Sequence, residues 1–193
     1  FDMGVSPDLV ARFPDADPRH AVAVEAFWID QTEMPVAAFR AAVPGATAGS
    51  AGDADDLPIR NVSWADAEAA CKALGKRLPS EAEWELAATR SPLAPAGAHL
   101  HGKRVNGPTP VHSHPGDCTA DGVCDLLGNV SEWTADRWQI GGTVDPDEQL
   151  RTVRGASFRV APTAAWYATV HARAKLAIGS PDPEVGFRCA RSP

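Results

Sequence analysis

The segment CDLLGNVSEWTADRW, residues 124–138, combines two carboxylates with a glycine–asparagine turn. Asp125 and Glu132 lie on either side of the turn, where the backbone carbonyls of Gly128 and Val130 would also point. Carboxylate and carbonyl oxygens at about 2.3–2.6 Å are the ligands that calcium takes in proteins. The spacing is not that of an EF-hand loop. The alternative is a rigid turn in which Glu132 caps backbone amides.

Four histidines form two closely spaced pairs, His99 with His101 and His112 with His114. Residues two apart point to the same side of an extended chain, so four imidazoles could hold zinc or copper. No cysteine or carboxylate is placed beside them. The sequence therefore favours a polar loop with solvated histidines.

The chain has four cysteines, which allow three pairings. Cys118 and Cys124 are close together in a loop rich in glycine and aspartate, which makes a local disulfide plausible, and Cys71 would then pair with Cys189. Full pairing predicts an extracytoplasmic or secreted location. Four reduced thiols in the cytoplasm are the alternative. Zinc-ribbon spacings are absent, so structural zinc is not expected.

The segment RGASFRVAPTAAWYATVHAR, residues 154–173, contains no cysteine, aspartate or glutamate. Ser157 follows Arg-Gly-Ala and not the G-x-S-x-G pattern of a hydrolase nucleophile. Arg173 is suited to an anionic ligand or to a structural ion pair. Four aromatic residues could form a binding surface, although the first is better suited to the core: Trp133, Trp138, Trp166 and Tyr167.

Two helices with N-terminal capping boxes are predicted between these segments. Ser63 and Asp66 begin the first, whose apolar face comprises Trp64, Ala67, Ala70, Cys71 and Leu74, with Gly75 as its stop. Ser80 and Glu83 begin the second, whose buried stripe comprises Trp84, Ala87 and Ala88.

The remaining elements are short. Alternation over His20–Asp30 predicts a strand, Pro35–Val43 predicts a short helix, and LRTVRGASF and VGFRCA predict the last strands. With 17 prolines and 16 glycines, many turns are expected. The order of elements indicates a single α+β domain over residues 1–193, or one module of a longer chain.

Composition limits the classes of partner. The net charge of −7 argues against non-specific nucleic-acid binding, which needs a basic face. No apolar run approaches the roughly 20 residues of a membrane-spanning helix, so membrane insertion is not expected.

Taken in order, several motifs resemble one family: FDMG, FWIDQTEM, VSWADAEAACKALGKRLPSEAEWELAA, GVCDLLGNVSEWTADRW, VRGAS and GFRCA. They are similar to the formylglycine-generating enzyme family, also called the sulfatase-modifying factor family. The similarity runs from Phe1 to Ala190, and GKRLPSEAEWELAA together with GNVSEWTADRW is specific to it. The resemblance implies a C-type-lectin-like, largely irregular α+β domain.

The resemblance also implies roles for individual residues. Asp125, Glu132 and the carbonyls of Gly128 and Val130 become expected calcium ligands. Cys71 and Cys189 match a disulfide-bonded pair of some members.

In the oxidase members, two cysteines bind copper, activate oxygen and convert a sulfatase cysteine to formylglycine. Their positions fall on Val160 and Ala165, which cannot bind a metal or form a thiolate. Copper and formylglycine-generating activity are therefore not expected.

Two functions follow from this resemblance. The first is a non-catalytic, calcium-stabilised module that binds a protein, peptide or small ligand through Val160, Ala165, Trp166, Tyr167, Trp138, His171 and Arg173. The second is an oxidoreductase or maturation enzyme that uses Tyr167, His171, Arg173 and the loop histidines with another metal.

Overall fold

In the part of the chain that the computed structural model describes, three helices and ten short strands are joined by long irregular segments. The structure describes residues 1–11, 13, 15–49, 52–94, 96–100, 107–161 and 168–193. The helices are α1 (Val36–Ala42), α2 (Trp64–Ala73) and α3 (Glu81–Ala88), with a 3₁₀ turn at Pro115–Asp117. The strands are β1 (Asp2–Met3), β2 (His20–Ala21), β3 (Trp28–Ile29), β4 (Ser131–Arg137), β5 (Gln139–Ile140), β6 (Thr143–Val144), β7 (Leu150–Arg154), β8 (Arg173–Ala177), β9 (Val185–Gly186) and β10 (Ala190–Arg191).

Four of these strands form the main sheet, in the order β8–β7–β4–β9. β7 pairs antiparallel with both β8 and β4, while β9 joins β4 in parallel. The other pairs are β1 with β2, β3 with β10, and β5 with β6. The predicted α+β class is confirmed, and β4 places Glu132 at the centre of the sheet.

Both capping boxes are present. Ser63 accepts the Asp66 N–H while the Asp66 carboxylate accepts the Ser63 N–H, and Ser80 and Glu83 do the same. Each box satisfies amides that would otherwise lack partners in the first turn. The predicted helix at Pro35–Val43 is also confirmed, because those two residues flank α1.

Two details of the predicted elements are wrong. The strand over His20–Asp30 is reduced to β2 and β3, because only these short pieces find hydrogen-bonded partner strands. Leu74 is 43% exposed, because α2 ends at Ala73 and the chain then turns away from the buried face. Gly75 follows with a φ of 68°, which glycine adopts without strain.

The main core lies between the first two helices and the main sheet. Phe39 meets Phe187 edge to face at 6.3 Å between ring centroids. Trp133 is fully buried, as predicted, and its indole N–H donates to the Val62 carbonyl at 3.0 Å. Within the described residues, the longest helix has ten residues, and none is long and apolar enough to cross a bilayer.

Candidate functional site

A cluster of buried charges lies where the glycine–asparagine turn meets the end of the chain. It comprises Arg188, Glu132, Glu33, Asp117 and Asp125, and we call it the Arg188 cluster; all five residues are at most 1% exposed. Arg188 donates from Nε and Nη2 to the two oxygens of Glu132, both at 2.7 Å. The indole N–H of Trp84 donates to the same carboxylate at 2.9 Å. Four buried carboxylates therefore face one guanidinium.

This excess of negative charge perturbs two of the carboxyl groups. Burial, together with the charges of Asp125 and Glu132, holds the pKa of Glu33 well above its usual range. Burial also raises the pKa of Asp117 to about 7, although the Leu127 N–H that it accepts acts in the opposite direction. Without a further cation, the cluster favours protonation of some of its members.

Glu33 and the residues of the turn fix each other's positions. The carboxylate of Glu33 accepts the Asn129 side-chain amide at 2.7 Å and the Val130 N–H at 2.8 Å. Asn129 has a φ of 66°, a conformation that asparagine tolerates better than most residues. A Cβ on Gly128 would lie 2.6 Å from the His99 carbonyl oxygen, so this close approach requires glycine.

The predicted calcium ligands thus lie in one turn, but their oxygen atoms are not equally free to bind calcium. Glu132 already accepts three hydrogen bonds, two at Oε2 and one at Oε1, so calcium would have to share this carboxylate with Arg188 and Trp84. Asp125 offers Oδ1, which is buried and has no hydrogen-bond partner among the described residues. The donor chemistry and the excess negative charge suit calcium. Calcium binding remains a prediction.

A second buried ionic network lies under α3, at the start of β8. Glu81 pairs with Arg154 at 3.0 Å and with Arg173 at 2.9 Å. Asp17 is 3.5 Å from Arg173, which also donates to the carbonyl of Asp15. Arg173 is therefore engaged in structural ion pairs, the second of the two roles considered for it.

Glu85, one turn along α3, belongs to the same network. It pairs with Arg154, and its Oε1 lies 3.3 Å from Nδ1 of His171. Burial alone would raise the pKa of Glu85, but Arg154, His171 and the N–H of Gly4 overcome this effect and lower the pKa to about 2. Glu85 is thus ionised at neutral pH, and its carboxylate lies beside the His171 ring.

A cavity of about 360 Å³ lies beside this network. It is lined by Trp138, Ser157, Val160, Arg173, Lys175 and Glu184, among others, and we call it the Val160 cavity. The Arg173 guanidinium lies 4.7 Å from the centre of the Trp138 ring, and the Lys175 ammonium lies 6.0 Å from it. The Ser157 hydroxyl donates to the Glu184 carboxylate. The cavity therefore offers an aromatic wall, a cation and a carboxylate.

The other residues predicted for the ligand site lie elsewhere or outside the described part of the chain. Ala165, Trp166, Tyr167 and His101 lie outside the described residues. His171 lines a separate cavity of about 510 Å³, together with Thr169.

The structure describes three of the four paired histidines. The rings of His99 and His114 stack at 5.1 Å, whereas His112 lies in an exposed turn.

Two disulfides are present, Cys71–Cys189 and Cys118–Cys124. The first ties α2 to the last strands within the main core, and the second closes a short loop. No cysteine is free.

Sequence reasoning missed several residues of these sites. Glu33 and Val130 are 97 positions apart, and no local pattern connects them. Glu81 and Glu85 had a readable signal, because residues four apart share a helix face and these two flank the buried Trp84. A charged residue on a buried stripe indicates an ion pair from another element.

The fold and its clusters define the class of protein: a C-type-lectin-like α+β domain of the formylglycine-generating enzyme type. The chain belongs to the family described as "Sulfatase-modifying factor enzyme 1-like domain", which matches residues 1–193.

Similar proteins are found among curated sequences and solved structures. The chain is 36% identical over 159 residues to "Inactive C-alpha-formylglycine-generating enzyme 2" of Bos taurus, a match covering 70% of this chain and 50% of that protein. It is 32% identical over 204 residues to "Formylglycine-generating enzyme" of Thermomonospora curvata, covering 83% and 66%. The structure of PvdO from Pseudomonas aeruginosa superposes with a TM-score of 0.80 at 26% identity, covering 100% of this chain and 91% of that one. The chain spans about half the length of the first of these relatives.

Proposed function

We propose that this chain is a non-catalytic member of its family that binds a ligand through the Val160 cavity. One observation carries the proposal. Val160, which lines the cavity, stands where the resemblance places the first copper-binding cysteine. A valine side chain has no atom that can bind copper. The second position, Ala165, is likewise unable to bind a metal.

The chemistry of the cavity indicates the kind of ligand. Trp138 offers an apolar wall, while Lys175 and Glu184 offer opposite charges at the rim, with side chains 51% and 32% exposed. A volume of about 360 Å³ is in the range of small-molecule sites. A peptide segment or a small zwitterion meets these requirements.

The relatives give independent support. The similar Bos taurus protein carries the word "inactive" in its name. A lectin-like scaffold that has lost its reactive groups still presents a rigid, loop-lined cavity, and loops on a rigid scaffold are common places for binding.

The absence of activity is tested directly. The protein is incubated with a cysteine-containing sulfatase peptide, copper and oxygen, and formylglycine is sought by mass spectrometry, with an active family enzyme as positive control. We expect no conversion. Turnover above that of a copper-only blank would refute the non-catalytic assignment.

Binding is tested with a set of dipeptides and free amino acids, followed by ligand-observed NMR. We expect Lys175→Met to weaken the hits about tenfold, because it removes the more exposed of the two lining cations. The other is Arg173, which is already engaged by Glu81 and Asp17. The matched control is Lys72→Met, since Lys72 is also exposed but lies on α2. Equal binding by the two variants would rule out this cavity.

We further propose that calcium stabilises the turn near Asp125. Oδ1 of Asp125 is buried without a partner among the described residues, and the Arg188 cluster has more carboxylates than cations. The two disulfides support an oxidising, extracytoplasmic location.

A further inference from the structure

The loop closed by the Cys118–Cys124 disulfide brings a histidine beside its two sulfurs. The potential ligand atoms of His112, Cys118 and Cys124 all lie within 4.8 Å of one another. In a tetrahedral zinc site with Zn–S of about 2.3 Å and Zn–N of about 2.0–2.1 Å, neighbouring ligand atoms are about 3.5–3.8 Å apart. The imidazole is therefore close enough to share a metal ion with the sulfurs, which would have to separate to about 3.8 Å by side-chain rotation once the disulfide is reduced.

Backbone hydrogen bonds on both sides of the disulfide also hold the two cysteines opposite each other. On one side of the pair, the Thr119 N–H donates to the Val123 carbonyl at 2.8 Å. On the other side, the Asp125 N–H donates to the Asp117 carbonyl at 3.0 Å. Because hydrogen bonds bracket the pair, reduction would leave two neighbouring thiols instead of releasing them into a flexible loop.

Asp125 also positions the histidine. Its Oδ2 accepts the His112 N–H at 2.7 Å, and Asp125 directly follows Cys124 in the chain. His112 has a φ of 63°, so its backbone is held in a turn conformation while its imidazole stays exposed. Cys118 is half-buried whereas Cys124 is fully buried, so a reductant and a metal ion would reach the pair from the Cys118 side.

We propose that reduction of the Cys118–Cys124 disulfide creates a zinc site formed by Cys118, Cys124 and His112. The reductant is a dithiol: it transfers two electrons and two protons to the cystine, leaves as its own cyclic disulfide, and yields two cysteine thiols. Zinc then binds as the two thiolates form, and their two protons pass to solvent. Three protein ligands leave a fourth position for water or for a ligand atom of another molecule.

The oxidised form cannot make this site, because both sulfurs are bonded to each other. The loop therefore binds zinc only under reducing conditions. This function is separate from the Val160 cavity and does not depend on it.

The proposal is tested on the full chain with cobalt(II) and zinc. The protein is reduced under argon with a phosphine reductant in place of the dithiol, and thiols are counted by alkylation and mass spectrometry. Cobalt is then titrated. We expect one cobalt per chain with thiolate-to-cobalt charge-transfer absorption, displaced by one equivalent of zinc, and no such absorption from the oxidised protein.

Two variants localise the site. Cys118→Ser/Cys124→Ser retains the other disulfide, and we expect it to show no charge-transfer absorption after the same reduction. His112→Asn keeps a residue that tolerates positive φ and removes the imidazole. We expect it to bind zinc at least tenfold more weakly, while its near-ultraviolet circular dichroism stays that of the wild type.

Three results would overturn the proposal. Reduced wild type could lack the absorption, the double serine variant could retain it, or His112→Asn could bind zinc as tightly as the wild type. The double serine variant also detects metal bound by thiols released from Cys71–Cys189.

Discussion

Replacing Arg188 by methionine removes the only cation found in the Arg188 cluster among the described residues. In the wild type, the guanidinium is fully buried and satisfies both oxygens of Glu132 at 2.7 Å. It also donates to the carbonyls of Cys124 at 2.8 Å and Asp30 at 3.1 Å. Methionine fills much of the same space but leaves Glu132 as an unpaired buried carboxylate.

The expected loss of stability is large. Removing one partner of a buried ion pair costs about 3–5 kcal/mol in the free energy of unfolding. For a domain of this size each kcal/mol lowers Tm by about 2–4 °C, so Arg188→Met should lower Tm by roughly 6–20 °C. The remaining carboxylates add to the cost, because Glu33 already has a pKa well above its usual range.

This loss of stability is measured by thermal and urea unfolding at neutral pH. A chelator is present so that no metal ion replaces the lost charge. Arg40→Met is the matched control. Arg40 pairs with Asp55 at 2.9 Å, but the two side chains are 52% and 76% exposed, so less than about 1 kcal/mol is expected. Glu132→Gln combined with Arg188→Met should lose less than the sum of the single losses. The reasoning fails if Arg188→Met costs no more than Arg40→Met.

Three further predictions concern crosslinks, pH and calcium. Double alanine substitution of Cys71–Cys189 should lower the free energy of unfolding by about 5 kcal/mol, and that of Cys118–Cys124 by about 2 kcal/mol. The difference arises because the cysteines of the two disulfides are 118 and 6 positions apart, and the longer loop loses more entropy on closure. Equal losses in urea unfolding would contradict this. The folded-state pKa of Glu85, about 2, lies below its ordinary value of 4.5, so its stabilising effect is complete above about pH 4.5 and is lost as pH falls toward 2. Glu85→Gln should therefore flatten this part of the stability–pH curve, and an unchanged slope would show that other groups cause it. A strong chelator should lower Tm if calcium holds the turn, whereas an unchanged Tm with no calcium by elemental analysis would remove that site.

The capped helices could be predicted from sequence because their signals are local. Ser63 with Asp66, and Ser80 with Glu83, each need only a three-residue spacing, and both pairs form the expected reciprocal hydrogen bonds. The alternation over residues 20–30 was equally visible but misleading. Exposure alternates over residues 21–25, yet a strand also requires a neighbouring strand along its whole length.

The candidate sites could be predicted only in part. Their sequence motifs identify the turn that contains Asp125 and Glu132, but they do not reveal that Glu132 is already paired with Arg188. That pairing joins residues 56 positions apart and depends on how the last strands enter the core. Likewise, the sequence shows that Val160 stands where the resemblance places a cysteine. It does not show that Lys175 and Glu184 line the same cavity, because only the packing of the main sheet brings them there.

The Cys71–Cys189 crosslink also determines how the molecule would respond to a pulling force. Tension applied at the two ends passes directly through the crosslink, so residues 72–188 carry no load once the flanking segments are taut. Without the crosslink, the chain between these two cysteines, which are 118 positions apart, could extend to roughly 400 Å. Every described residue of the Val160 cavity except Asp15 lies inside this shielded loop. A module tethered at both ends would thus keep nearly all of its cavity under strain.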